Sequence, residues 1–138
     1  MGIKVLLVDD EKEFIDALAQ RLELRGYDVQ IAYSGIEAIG IITEKDVDVI
    51  VLDIKMPGME GIEALGKIKA LKPGIEVVML TAHGSLSEAM TAMKKDAHDF
   101  IMKPAPIDVI IDKITTAYEV KTLNEQRNKV GKPSKADS

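Results

Sequence analysis

Along this chain, short apolar runs rich in Val and Ile alternate with longer stretches of helical period, the signature of β–α units around a parallel sheet. Five runs read as strands: Ile3 to Val8, Tyr27 to Ala32, Val47 to Leu52, Glu76 to Leu80 and Asp99 to Met102. Most are continuously apolar, as strands covered on both faces must be. Tyr27-Asp28-Val29-Gln30-Ile31 instead alternates strictly, which predicts a half-exposed strand at a sheet edge. Between the runs, Asp10 with Glu13, Ser34 with Glu37 and Ser85 with Glu88 have the capping spacing that marks helix starts. Phe14, Ile15, Leu18, Ala19 and Leu22 form an apolar stripe that ends at Gly26, a natural residue just past a helix C-terminus. The last helix is predicted from Pro106, with Ile107, Ile110, Ile111, Ile114 and Tyr118 on the face that packs on the sheet. After Tyr118 the stripe thins, helix-forming residues continue to about Lys129, and Gly131 and Pro133 are expected to stop the helix. Residues 1–120 therefore read as one domain, and 121–138 as a helical extension with a flexible C-terminal tail.

Composition narrows the class. The chain has 138 residues, 46% hydrophobic and 30% charged, which suits a single globular domain with a real core. There is no Cys, so disulfides, thiolate metal sites and cysteine nucleophiles are excluded. A net charge of −5 would repel a phosphate backbone, so nucleic acid is not expected as a direct partner. No apolar run approaches the roughly 20 residues of a membrane span, and no signal sequence opens the chain, so a cytoplasmic location without membrane contact is expected.

The candidate chemistry lies where polar residues interrupt the apolar runs. Val5-Leu6-Leu7-Val8 meets Asp9-Asp10, Val49-Ile50-Val51-Leu52 meets Asp53, Val77-Val78-Met79-Leu80 meets Thr81, and Phe100-Ile101-Met102 meets Lys103. In a parallel sheet these C-terminal ends share one edge, outside which open α/β sheets bind ligands. Taken singly, Asp10 also fits a helix cap, Thr81 a strand-end turn and Lys103 a solvated cation. Four breaks on one edge are better explained by a site. Carboxylates about 4 Å apart repel by about 4 kcal/mol at an effective dielectric of 20, a conflict that a divalent cation resolves. Hard oxygen donors without His or Cys favour Mg²⁺. A carboxylate beside Mg²⁺ can attack a phosphoryl group while the metal, Lys103 and Thr81 stabilise charge on its oxygens. On this reading Asp53 is the nucleophile, and Asp9 and Asp10 are metal ligands.

The stretches Val5-Leu6-Leu7-Val8-Asp9-Asp10-Glu11, Val51-Leu52-Asp53-Ile54-Lys55-Met56-Pro57-Gly58-Met59-Glu60-Gly61, Leu80-Thr81-Ala82 and Phe100-Ile101-Met102-Lys103-Pro104 resemble the receiver domain of bacterial two-component response regulators, of the chemotaxis-regulator type. The resemblance spans Ile3 to Tyr118. It implies a flavodoxin-like, doubly wound α/β fold with five parallel strands in order 2-1-3-4-5 and five flanking helices. It further implies phosphotransfer from a sensor histidine kinase or phosphotransfer protein onto Asp53. Mg²⁺ would be held by Asp10, Asp53 and the main-chain carbonyl of Lys55, with Asp9 acting partly through water. Lys103 would pair with the phosphoryl group and precede a cis peptide to Pro104. Thr81 and Phe100 would form a switch that remodels the face of the fourth helix, fifth strand and fifth helix, through which a homodimer could also form. Lys55 and His83 match positions that tune the lifetime of the phosphoryl group, although a lone exposed Lys or His is usually just solvated, and Phe100 also fits an ordinary core aromatic.

One departure concerns Lys94-Lys95-Asp96-Ala97, which puts Asp96 where many relatives have Gly and where a left-handed backbone is wanted. The expected role is that of a phosphoacceptor, assisting its own phosphorylation and dephosphorylation, rather than an enzyme. Of the alternatives, an Asp-nucleophile phosphohydrolase lacks an acid two residues after Asp53, where Lys55 stands. A nucleotide enzyme lacks its Gly-rich loop, and a scaffold that signals by binding alone would not need the full reactive set. No effector module fits after the fifth helix, so a single-domain regulator or the receiver part of a longer protein is expected.

Overall fold

Five parallel strands and five helices alternate strictly along the chain, with β1 at Lys4–Val8, α1 at Lys12–Leu24, β2 at Asp28–Ala32, α2 at Gly35–Glu44 and β3 at Val49–Asp53. They continue with α3 at Gly61–Leu71, β4 at Glu76–Thr81, α4 at Leu86–Lys94, β5 at Asp99–Met102 and α5 at Ile107–Asp137. The computed structural model describes residues 2–56, 58–82 and 86–137, with side chains described as far as Lys129. The sheet order is β2-β1-β3-β4-β5, which is the predicted order, and the alternating strand lies at an edge as its pattern requires.

Period-two alternation divides the core into two layers. Leu6, Val8, Ile50, Leu52, Val77 and Met79 point to one face, covered by Ala38 and Ile42 of α2, Ala64, Leu65 and Ile68 of α3, and Ala89 and Ala92 of α4. Val5, Leu7, Val49, Val51, Val78 and Leu80 point to the other, covered by Ile15, Leu18, Ala19 and Leu22 of α1 and Ile110, Ile114 and Ala117 of α5. Every residue of β3 and β4 is buried. The stripes read from α1 and α5 are therefore the packing faces.

Several boundaries differ from expectation for identifiable reasons. Tyr27 stays outside β2 because its N–H donates to the Leu22 carbonyl while Gly26 N–H donates to Glu23, a complete Schellman closure of α1 with Gly26 at φ +92°. Asp53 and Thr81 are the last residues of their strands rather than the first after them, paired across the sheet with Leu80 and Met102. Val47 is buried but precedes β3, the chain there being held by Asp48 N–H on the Lys4 carbonyl. Ile3 stands just ahead of β1, its carbonyl accepting from Asp28 N–H.

The caps split in the same way. Ser34 accepts from Glu37 N–H as predicted, whereas the Glu37 carboxylate accepts from Tyr33 N–H. Asp10 does not cap α1: the helix begins at Lys12 with Glu11 in the cap position and no side-chain cap bond, and Asp9 Oδ1 accepts Glu11 N–H instead. Ser85, the third predicted cap, lies outside the described residues. Pro106 sits one place before α5, its carbonyl accepting from Val109 and Ile110. At the far end α5 continues to Asp137, past Gly131 and Pro133.

Candidate functional site

The C-terminal ends of β1, β3, β4 and β5 bring the predicted polar residues to one edge. Asp9, directly after β1, is wholly buried and anchored by its N–H on the Ala32 carbonyl, while Asp10 is exposed. Asp53 closes β3. Carboxylate oxygens of Asp9, Asp10 and Asp53 all lie within 4.8 Å of one another. Thr81 closes β4, fully buried, with Oγ1 donating to the Ala82 carbonyl at 3.3 Å. Lys103 follows β5, where its N–H donates to the Thr81 carbonyl at 2.8 Å, and the Lys103–Pro104 peptide is cis.

One ammonium joins these groups. Lys103 Nζ lies 2.8 Å from Asp9 Oδ2, 2.8 Å from Glu11 Oε1 and 3.8 Å from Asp53 Oδ1, and 4.8 Å from the centroid of the Phe14 ring. On the outer side, Lys55 Nζ reaches Glu88 Oε1 of α4 at 3.4 Å. A close backbone approach shapes the floor: Gly61 N–H donates to the Ile54 carbonyl at 2.7 Å, and a Cβ at Gly61 would stand 2.1 Å from the Asp53 carbonyl oxygen. Only glycine fits there.

The charges oppose one another. Burial, followed by the neighbouring Asp9 carboxylate, pushes the Asp53 carboxyl up to about 7, against the opposing pull of Lys103 and of the Lys55 amide. Burial alone would lower Lys103, but hydrogen bonds to Asp9 and Glu11 and the charges of Asp53 and Asp9 outweigh it and raise its pKa. Three clustered carboxylates faced by one cation leave excess negative charge. With donors that are all hard oxygens and no His or Cys among them, the set fits Mg²⁺, with water completing the shell.

Asp9, Asp10, Asp53, Thr81 and Lys103 thus share the edge. Phe100 lies two residues before it in sequence from Met102, half-buried against the layer of α2, α3 and α4. His83 lies outside the described residues. Phe14 and Glu88 are site residues that the sequence reading placed elsewhere, and Glu11 is one that it quoted beside Asp9 and Asp10 without a role. Glu11 stands beside the carboxylate pair and could have been noticed there; Phe14 reads as core and Glu88 as a cap partner. Among the described residues, no helix is long and apolar enough to cross a membrane.

The sequence matches the response regulator receiver domain over residues 5–115. It is 35% identical over 115 residues to the transcriptional regulatory protein GlrR of Escherichia coli K12, covering 83% of this chain and 26% of that protein. It is 32% identical over 134 residues to the C4-dicarboxylate transport transcriptional regulatory protein DctD of Rhizobium meliloti, covering 97% of this chain and 29% of that protein. The chain therefore spans about a quarter of the length of these curated relatives. Among solved structures, a response regulator receiver domain protein from Clostridium thermocellum superposes with a TM-score of 0.84 at 35% identity, covering 88% of this chain and 98% of that one. NtrX from Brucella abortus superposes at 0.90 with 30% identity, over 94% of this chain and 30% of that one.

Proposed function

This chain belongs to the response regulator receiver domain family, and on that premise we propose that Asp53 accepts a phosphoryl group from the phosphohistidine of a sensor histidine kinase or a phosphotransfer protein. The observation that carries the reading is the grouping of Asp53 with Asp9, Asp10 and the Lys103 ammonium at one sheet edge. An Asp53 carboxylate oxygen attacks phosphorus, the P–N bond breaks, and its electron pair stays on the donor's imidazole nitrogen. Bound Mg²⁺ would supply charge neutralisation for the phosphoryl oxygens, held by Asp10, Asp53 and the Lys55 carbonyl, with Asp9 partly through water. Lys103 donates to a phosphoryl oxygen, and the Thr81 hydroxyl donates to another. Burial of Asp53 excludes bulk water from the acyl phosphate, and Lys55 and His83, two positions after Asp53 and Thr81 in sequence, tune its lifetime.

Transfer is stoichiometric, one phosphoryl group per chain, so the protein acts as a signalling domain that assists its own phosphorylation and dephosphorylation. Thr81 and Phe100 would relay the new charge to α4, β5 and α5, a population shift biased by one covalent group. Leu86, Met90, Met102 and Val109 expose apolar surface on those three elements, as a surface for an output partner or a second copy would. Residues 1–120 form the receiver in this reading, and 121–137 extend its last helix.

Intact mass after incubation with acetyl phosphate tests the assignment. The expected result is a Mg²⁺-dependent gain of one phosphoryl group that Asp53→Asn abolishes. A gain that survives in Asp53→Asn would overturn Asp53 as acceptor, and no gain from either acetyl phosphate or a phosphorylated histidine kinase would overturn the function.

A further inference from the structure

Lys103 makes its two short contacts to groups other than the phosphoacceptor. Its ammonium lies 2.8 Å from both Asp9 Oδ2 and Glu11 Oε1, but 3.8 Å from Asp53 Oδ1. The two short partners are unlike. Asp9 is wholly buried and also holds Glu11 N–H through Oδ1, so it is fixed. The Glu11 side chain is 65% exposed and makes no other side-chain hydrogen bond among the described residues, so it can turn into solvent at little cost. The Phe14 ring stays beside the ammonium in either arrangement, since it belongs to the core-facing stripe of α1.

We propose that Glu11 is a positioning residue: it parks the Lys103 ammonium short of Asp53 and competes with an incoming phosphoryl group for it. The proposal rests on the phosphoacceptor reading of Asp53. When acetyl phosphate reacts, an Asp53 oxygen bonds to phosphorus, the bond from phosphorus to the acetyl oxygen breaks, and acetate leaves with the electron pair. Lys103 must close on the transferring oxygens during that step. Because Asp9 is fixed, the contact it gives up is the one to Glu11. An exposed ion pair of this kind has a strength that corresponds to about a 1.5- to 5-fold change in an equilibrium. Removing it should therefore raise the phosphorylation rate by that factor, not by orders of magnitude.

Glu11→Gln keeps the side-chain length and removes the charge. With Mg²⁺ saturating and acetyl phosphate below saturation, the variant is expected to gain phosphoryl groups about 1.5- to 5-fold faster than the wild type. Simple repulsion of the anionic donor by Glu11 would give the same sign, so the substitution is repeated in a Lys103→Met background. An effect that vanishes there supports action through Lys103, and an effect that persists overturns it. A second readout needs no turnover. In ¹H–¹⁵N spectra of the metal-free protein, the Lys103 ammonium signal is expected to move on Glu11→Gln more than that of any other lysine, and an unmoved signal overturns the parking contact. Failure of the wild type to accept any phosphoryl group would sink the phosphoacceptor reading, while the ammonium spectrum would still decide where Lys103 is held.

Discussion

Asp53 carries opposing demands in a single carboxyl group. Its folded pKa of about 7, raised by burial and then by Asp9, means that the folded chain holds this proton more tightly than the unfolded chain does. The stabilisation is complete below the ordinary carboxylate pKa and is lost as pH rises through about 7. In metal-free buffer, Asp53→Asn is therefore expected to match the wild type near pH 4 and to exceed its stability at pH 8 by about 1–2 kcal/mol, allowing for solvent screening. Mg²⁺ should reduce that difference by stabilising the wild type more than the variant. Urea denaturation at the two pH values, with chelator or Mg²⁺, checks both statements; an Asn variant less stable than the wild type at pH 8 without metal would contradict them. At this scale Asp9, Asp10, Asp53, Thr81 and Lys103 were legible because each breaks an apolar run. The contact of Glu11 with Lys103 was not, because it joins positions 92 residues apart and depends on side-chain direction.

The helix ends show how backbone geometry selects residues near the site. α4 closes as α1 does, with Asp96 N–H on the Met93 carbonyl and Ala97 N–H on Ala92, and Asp96 at φ +72° takes the place that Gly26 takes in α1. A Cβ strains that conformation, and a carboxylate also opposes the negative end of the helix dipole. Asp96→Gly is accordingly expected to stabilise the protein by about 0.5–1 kcal/mol, net of the entropy that glycine adds to the unfolded chain. A fall in the urea midpoint at unchanged m-value would refute this. The left-handed position at Asp96 was legible only through the family resemblance, in which many relatives have Gly there. The start of α1 was misread because Asp9, rather than Asp10, engages the turn, and local spacing does not distinguish two adjacent aspartates. Gly61 stood in the quoted motif, yet its requirement, the Asp53 carbonyl where a Cβ would sit, exists only once β3 and α3 are packed.

Across the whole molecule, strand count, parallel direction and the edge position of β2 were legible, because burial on two faces and on one face leave different patterns. The run of α5 was less so. Lys121 of α5 pairs with Asp48 at 3.4 Å and with Glu125, and Asp48 also accepts Lys4 N–H, a tie at the end of the sheet opposite Asp53 that no local pattern announces. Asp53 itself closes β3, the middle strand of the five, buried throughout and hydrogen-bonded on both sides. Amides of Ile50, Val51 and Leu52 should therefore exchange with deuterium only through global unfolding, whereas those of β2 at the edge exchange through smaller openings. Phosphorylation is then expected to change protection in α4 and β5 while β3 tracks global stability alone. Local loss of protection in β3 would contradict that division. On the proposed reading, the group that receives the signal is bolted to the central strand, so the clock of the switch would belong to the periphery, with the centre as its fixed frame of reference.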